Sequence, residues 1–179
     1  MTTTVSWPPR SISSLEHQLD ALTETVRRPP DERTDDERVW LTRFLLLRAV
    51  GFLEQVVNEC VREHVQIGSW GTVRSFSTSF LDRSLNPSVD NLLTLLGRLD
   101  ANLRDEFDTW INEDDQAILR GLSAAVALRH RIAHGLNEGI GEKRALEHVS
   151  TLKDVADWFI RKLNPLPQAR ASHQIQGRK

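Results

Sequence analysis

The sequence predicts an all-α fold, a helical bundle of about five main helices. Apolar residues recur at the three- and four-residue spacing of a helix along most of the chain. No stretch shows the alternation of apolar and polar residues that marks a half-buried strand. Tyrosine is absent and clusters of β-branched residues are few, which also disfavours a sheet.

The first helix is predicted from a capping box and a proline pair. In a capping box, a Ser or Thr at the N-cap and a Glu three residues later accept hydrogen bonds from each other's backbone N–H groups. Ser13 and Glu16 fit this pattern, and leucines at helical spacing follow them. We therefore expect a helix over about residues 14–28, ended by the prolines at 29–30.

A second capping box, Thr34 with Glu37, opens a long helix to about residue 65, closed near Gly68. Because residues 44–53 are apolar nearly all round, this helix should be the central one, covered on several faces. The side chains expected in its core are Phe44, Leu47 and Phe52.

Residues 66–87 form the least regular segment, and the helical pattern resumes after it. In that segment Phe76, Phe80 and Leu81 could anchor one helical turn. The further predicted helices cover about residues 88–99, 103–111, 113–134 and 142–163. The inward side of the helix at 113–134 is predicted to carry Ile118, Leu122, Ala125 and Leu128.

Length and hydropathy favour one domain in the cytoplasm. The 179 residues fit a single helical domain over 1–165, followed by a polar, basic and flexible tail over 166–179. The N-terminus lacks the charged and apolar regions of a secretory signal. The most apolar stretch, 44–53, is about half the length that crosses a bilayer, so no membrane association is expected.

Charge and cysteine content exclude two further classes. A net charge of −2 is unlike that of a protein that grips nucleic acid along its whole surface, so any RNA contact must be local. The single cysteine, Cys60, has no partner for an internal disulfide and lies in an apolar helical run. We expect a buried free thiol there.

The candidate site is a cluster of cations at the end of the helix predicted over 113–134. Arg129, His130, Arg131 and His134 lie within six residues, just before Gly135. A guanidinium binds phosphate as a planar, permanently charged fork. An imidazole gives and takes a proton near neutral pH. Together these groups could hold a phosphodiester and move protons on either side of it.

Helix geometry restricts how this cluster can work. Arg129 and His134 point about 140° apart on a regular helix, whereas His130 and His134 share one face. Either the helix loosens near Gly135, or a second copy of the motif supplies the missing group. A purely structural interpretation also exists, because cations followed by glycine are common at a helix C-terminus.

A metal site is not expected. His130 and His134 have the spacing of a zinc pair, but no Glu follows His130 as in the metalloprotease pattern, and there are no cysteine pairs. No glycine-rich phosphate loop is present, so we expect neither metal nor cofactor. The other histidines, expected at the surface, are His17, His64, His148 and His173.

Two segments resemble a known family. Residues 128–135 read Leu-Arg-His-Arg-Ile-Ala-His-Gly, which resembles the Arg-x4-His signature of the HEPN superfamily of helical ribonucleases and nucleotide-binding domains. Residues 40–64 resemble the second helix of the HEPN group associated with RiboL-PSP domains, through Arg48, Ala49 and Glu54. The resemblance covers about half of the chain.

The resemblance implies a homodimeric, metal-independent RNA endonuclease with a composite site at a twofold axis. His134 would act as general base or acid, Arg129 would stabilise charge on the phosphoryl oxygens, and His130 would position the phosphate or carry the second proton. Some HEPN toxins are regulated by adenylylation of a tyrosine two residues after the histidine. Leu136 stands there in this chain, so that regulation cannot apply.

The resemblance also suggests supporting residues and partners. Glu54 could orient Arg129 or a motif histidine, although a structural salt bridge with Arg48 is the simpler interpretation, and Arg131 would add positive charge. Small HEPN proteins are usually toxins or parts of anti-phage defence, which implies an antitoxin or a neighbouring defence protein as partner. The alternative is a non-catalytic module that binds nucleotide or RNA or dimerises with another protein.

Overall fold

The computed structural model describes residues 7–28, 33–73, 85–135 and 139–165, and these ranges contain helices and no strand. The predicted all-α fold is thereby confirmed. The main helices are α1 (Arg10–Arg27), α2 (Asp35–Gly68), α3 (Val89–Leu99), α4 (Ala101–Ile111), α5 (Ala117–Ala133) and α6 (Glu142–Lys162), with a 3₁₀ turn at Asp114–Gln116. None of the described helices is long and apolar enough to span a bilayer.

The long helix α2 is the centre of the bundle, as its sequence predicts. It packs against α6 most extensively and also against α1 and α5. The capping box at its start forms as predicted: the Thr34 N–H donates to Glu37 Oε2 at 2.8 Å, and the Glu37 N–H donates to Thr34 Oγ1 at 3.3 Å. The pKa of the Glu37 carboxyl is lowered mainly by the bond from the Thr34 N–H, and next by the Thr34 hydroxyl, which also donates to Glu37 Oε2 at 3.1 Å.

The predicted capping box at the start of α1 is wrong. The helix begins at Arg10, directly after Pro9, so that Ser13 and Glu16 lie inside it. The extra turn buries Ile12, and the apolar contact this gives outweighs a cap on the surface. Glu16 pairs instead with Lys153 of α6, at 3.1 Å.

The prediction for Phe44 is also wrong. Phe52 is buried and Leu47 is partly covered, but half of Phe44 is exposed, as is two thirds of Trp40 one turn earlier. Residues four apart lie on the same side of a helix, so these two rings form one outward apolar patch. The neighbouring helices cover the other sides of α2 and leave this side open.

A left-handed turn moves the start of the motif helix. Asp114, Asp115 and Gln116 have φ values of 47°, 54° and 61°, so α5 starts at Ala117 rather than near residue 113. The remaining helices match their predicted ranges closely. Cys60 is buried as expected, and desolvation raises the pKa of its thiol to about 12. The predicted turn at 76–81 and the predicted tail at 166–179 lie outside the described residues.

A close contact between α5 and α6 fixes the position of the motif helix. A Cβ atom added to Gly121 would lie 2.9 Å from both Cγ2 and Oγ1 of Thr151, which is closer than packed atoms approach. A side chain at residue 121 would therefore force the Thr151 side chain to shift, so glycine suits the close approach of the two helices here. On the same inner side, Leu122, Ala125 and Leu128 are buried, as predicted.

Two phenylalanines of α2 should respond very differently to truncation. We expect Phe52→Ala to lower the free energy of unfolding by about 3–5 kcal/mol, because it leaves a cavity in the core. At protein concentrations low enough for the chain to be monomeric, Phe44→Ala should change that free energy by less than about 1 kcal/mol, because half of its ring already contacts solvent. Denaturant unfolding of the two variants measures both values, and equal losses would contradict this placement of α2.

Candidate active site

The cationic cluster lies in the last turn of α5 and faces solvent. His130, Arg131 and His134 are exposed, and Arg129 is partly buried beside the core residue Leu128. The buried inner side of α5 thus holds the backbone in place while the charged groups point outward. A ligand can reach them without any rearrangement of the core.

The two histidines of the motif lie against each other, as their spacing predicts. Their ring centroids are 4.3 Å apart and the ring planes meet at 65°, an edge-to-face arrangement. The His134 N–H donates to the His130 carbonyl at 3.1 Å, so the helical turn persists between them. Two imidazoles at this separation can both reach one phosphodiester.

Gly135 ends the helix in the way the sequence predicts. It has a φ of 76°, in the left-handed region that favours glycine, and its N–H donates to the Ile132 carbonyl at 3.0 Å. The helix does not loosen earlier, since α5 is regular to Ala133. Arg129 and His134 therefore diverge by about 140°, and one copy of the chain does not place both on one face.

The structure places the supporting residues on α2 and at the end of α5. Glu54 is partly buried on α2, and its role toward Arg129 stays a prediction, as does the role of the exposed Arg131. Arg48 is exposed, and its Nη2 donates to Gln18 Oε1 of α1 at 3.4 Å. The charge of Arg48 is thus at the surface, although its neighbours along the sequence are apolar.

A contact that the sequence did not reveal ties the loop after the motif to α2. Thr42 Oγ1 shares its proton between the carbonyl of Ile140 at 3.0 Å and that of Val39 at 2.9 Å, and Thr42 and Ile140 are buried. A lone threonine inside an apolar run was the available signal, because a buried hydroxyl needs a partner. The loop before α6 is thereby held against the start of α2, the part of that helix where Trp40 and Phe44 are exposed.

Comparison with known proteins identifies the family. The RiboL-PSP-HEPN family model matches residues 10–164, which is most of the chain. The chain belongs to the RiboL-PSP-HEPN family. The resemblance that the motif and the central helix indicated is thus confirmed, as is the all-α fold of a HEPN domain. No curated protein and no solved structure matches the chain.

One histidine of this HEPN domain is buried, contrary to the prediction that it lies at the surface. His148 of α6 is only 6% exposed, and its Nε2 atom has no hydrogen-bond partner among the described residues. Burial, followed by the charge of Arg144, lowers the pKa of its imidazole. His17 is exposed as expected, His64 is partly buried, and His173 lies outside the described residues.

The described part of the HEPN domain shows no cluster of three or more His, Cys, Asp or Glu side chains that could hold a metal ion. Among the described residues, no carboxylate forms an ion pair with Arg129 or with either motif histidine. Arg129, His130 and His134 are thus available to an anionic ligand.

The buried histidine should make stability depend on pH. Because the folded state lowers its pKa, His148 stays neutral in the fold while the unfolded chain takes up a proton. The contribution of the neutral His148 to the free energy of unfolding is complete above the ordinary imidazole pKa of about 6.5, and it is lost as the pH falls below that value. When the pH is lowered from about 7.5 to 5.5, we expect the melting temperature of a His148→Gln variant to fall less than that of the wild type.

Thermal unfolding at both pH values, followed by circular dichroism, measures this difference. His17→Gln is the matched control, because His17 is exposed on α1 and should leave the pH dependence unchanged. Identical pH dependence in wild type and His148→Gln would show that His148 accepts a proton equally well in both states.

Proposed function

We propose that this HEPN domain is a metal-independent RNA endonuclease. The observation that carries the proposal is the edge-to-face pair of His130 and His134, which begins at the residue directly after Arg129, at the open end of α5. These groups can supply a base, an acid and a stabilising charge, which is the complete set that cleavage by the RNA's own 2′-hydroxyl requires.

In the proposed reaction, one neutral imidazole accepts the proton of a ribose 2′-hydroxyl. The 2′-oxygen attacks the adjacent phosphorus, and the bond from phosphorus to the 5′-oxygen breaks. The leaving 5′-oxygen takes a proton from a protonated imidazole, which yields a 2′,3′-cyclic phosphate and a 5′-hydroxyl. His134 is one of the two proton carriers, and His130 is the other or holds the phosphate.

Arg129 is proposed to stabilise the charge that develops on the non-bridging phosphoryl oxygens. A guanidinium can donate two parallel hydrogen bonds to such oxygens. Because Arg129 diverges from His134 on its own helix, we propose that the two groups acting on one phosphate come from two copies of the chain. Arg131 adds positive charge near the same phosphate.

The exposed rings of Trp40 and Phe44 support a second copy as the partner. They form an apolar patch on α2, and the guanidinium of Arg43 lies 5.1 Å from the centre of the Trp40 ring. Large exposed apolar patches on a soluble domain commonly mark an interface. In a twofold dimer through this side, each motif would lie near the axis, with Glu54 offsetting part of the positive charge.

We further propose that the biological role is that of a toxin or an anti-phage defence component, with an antitoxin or a neighbouring defence protein as partner. The support is family analogy only. The second candidate, a non-catalytic HEPN module that binds nucleotide or RNA or serves as a dimerising partner for another protein, is favoured by one observation. The net charge of −2 gives little general attraction for RNA.

The chemistry predicts a clear response to chelator and to substitution. Purified protein should cleave RNA in excess EDTA, and Arg129→Ala and His134→Ala should each lower the rate by roughly a hundredfold or more. Cleavage of total RNA and of short oligonucleotides, with end-group analysis of the products, measures this. The expected products carry a cyclic phosphate and a 5′-hydroxyl.

Two surface variants serve as matched controls for this experiment. Arg120→Ala removes an exposed arginine from the same helix, and His17→Ala removes an exposed histidine from α1. Both should cleave at the wild-type rate. A requirement for added divalent metal, or activity that persists in both motif variants, would contradict the mechanism. Folded wild-type protein that never cuts RNA would favour the binding module.

The composite site predicts dominance in mixed dimers. Arg129→Ala chains mixed and re-equilibrated with wild type should lower activity by more than the dilution of active chains, because the two motifs share one phosphate gap at the twofold axis and a mixed dimer lacks one of the two arginines that face it. Light scattering at micromolar concentration should give the mass of a dimer. A monomer at that concentration, or activity that falls only in proportion to dilution, would remove the second copy from the mechanism.

A further inference from the structure

A cavity lies between the first turns of α2 and α6, close to the end of α1. Its volume is about 320 Å³. The apolar part of its wall includes Val39 and Leu41 of α2 and Ile140 of the loop before α6. Pockets for small ligands typically start at about 300 Å³, so the cavity can accept a base together with part of a sugar.

The charged groups at this cavity carry both signs. Arg33 and Arg38 bring guanidinium groups, and Asp35 and Glu142 bring carboxylates. Arg33 is also anchored, since its Nη1 donates to the Thr25 carbonyl of α1 at 3.1 Å. A ligand that matches this wall has a flat apolar body, an anionic group and hydrogen-bond donors at its edge.

A nucleotide has these three features. Its base offers two apolar faces, its phosphate accepts hydrogen bonds from guanidinium groups, and the amino groups of guanine, adenine and cytosine can donate to carboxylates. Uracil has no amino group, and its one ring N–H lies between two carbonyl oxygens that repel a carboxylate. The chemistry of the wall therefore favours a nucleotide whose base carries an amino group.

The cavity is also close to the motif along the chain. Ile140 lies six residues after His134, and six residues span at most about 22 Å. The bond from Thr42 to the Ile140 carbonyl holds this wall against α2. An RNA strand with its reacting phosphate at His134 can thus place a nearby nucleotide in the cavity.

We propose that the cavity at the start of α2 and α6 binds one nucleotide with an amino-bearing base, and that this nucleotide belongs to the RNA that the motif cleaves. The base lies against Val39, Leu41 and Ile140, and the phosphate contacts Arg38. The assignment to RNA rests on the proposed function, whereas the binding of a nucleotide does not. A free nucleotide is the other source of the same chemistry.

Gly141 allows the cavity to be filled with little change to the fold. It lines the cavity, a Cβ added to it would have no atom within 4 Å, and its φ of −70° suits any residue. A leucine there should occupy space that the base needs. Gly139→Leu is the matched control, because a Cβ at Gly139 also meets nothing within 4 Å and the residue is not part of the cavity wall.

Calorimetric titration of the full chain with the four 5′-nucleoside monophosphates and with inorganic phosphate tests the site. We expect GMP, AMP and CMP to bind at least about tenfold more tightly than UMP or phosphate. Gly141→Leu and Arg38→Ala should each weaken binding by roughly tenfold or more, and Gly139→Leu should leave it unchanged. No binding at millimolar nucleotide, or binding that Gly141→Leu leaves intact, would overturn the site.

Cleavage of short RNAs distinguishes the two sources of the nucleotide. If the cavity holds part of the RNA, Gly141→Leu raises KM and shifts the positions of the cuts, whereas Gly139→Leu does neither. Unchanged KM and cut positions in Gly141→Leu would overturn the assignment to RNA. If the protein binds nucleotide but never cuts RNA, the nucleotide site is supported and only the proposed nuclease activity is contradicted. The proposed site and the proposed activity can therefore fail separately.

Discussion

The burial of α2 is the constraint on which the rest of the molecule depends. Its apolar residues surround most of the helix, so α1, α5 and α6 must pack against it to keep them from water. Those neighbours cover only part of its circumference at the N-terminal end. The side they leave open carries Trp40 and Phe44. The apolar surface that a partner could use is therefore a direct result of how the core is covered.

The same constraint determines where the motif lies. Buried residues on the inner side of α5 and the close approach at Gly121 fix the rotation and position of this helix. The two motif histidines then emerge on its outer side, and Gly135 ends the helix just beyond them. The cluster is thus a short exposed extension of a rigid core element, which favours accurate placement of reacting groups.

Short sequence patterns predicted those features of the fold that depend on residues within one helical turn. The cap at Thr34 and the stop at Gly135 each depend on residues within one turn, and both form as predicted. Phe44 and His148 were misplaced because their burial depends on which helix covers which side. Sequence periodicity reports that a side is apolar, but it does not report whether a neighbouring helix covers that side.

The end of α5 is an unusual place to bind a phosphate, and this explains why the site needs several cations. Helix N-termini attract anions, whereas the carbonyl groups at a C-terminus repel them. The net charge of −2 adds no long-range attraction to offset that repulsion. In the proposed mechanism, the cations of a second copy supplement Arg129 and Arg131 of one chain. If that proposal holds, the unfavourable helix end confines productive binding to the assembled dimer, and an isolated chain would hold RNA too weakly to cut it.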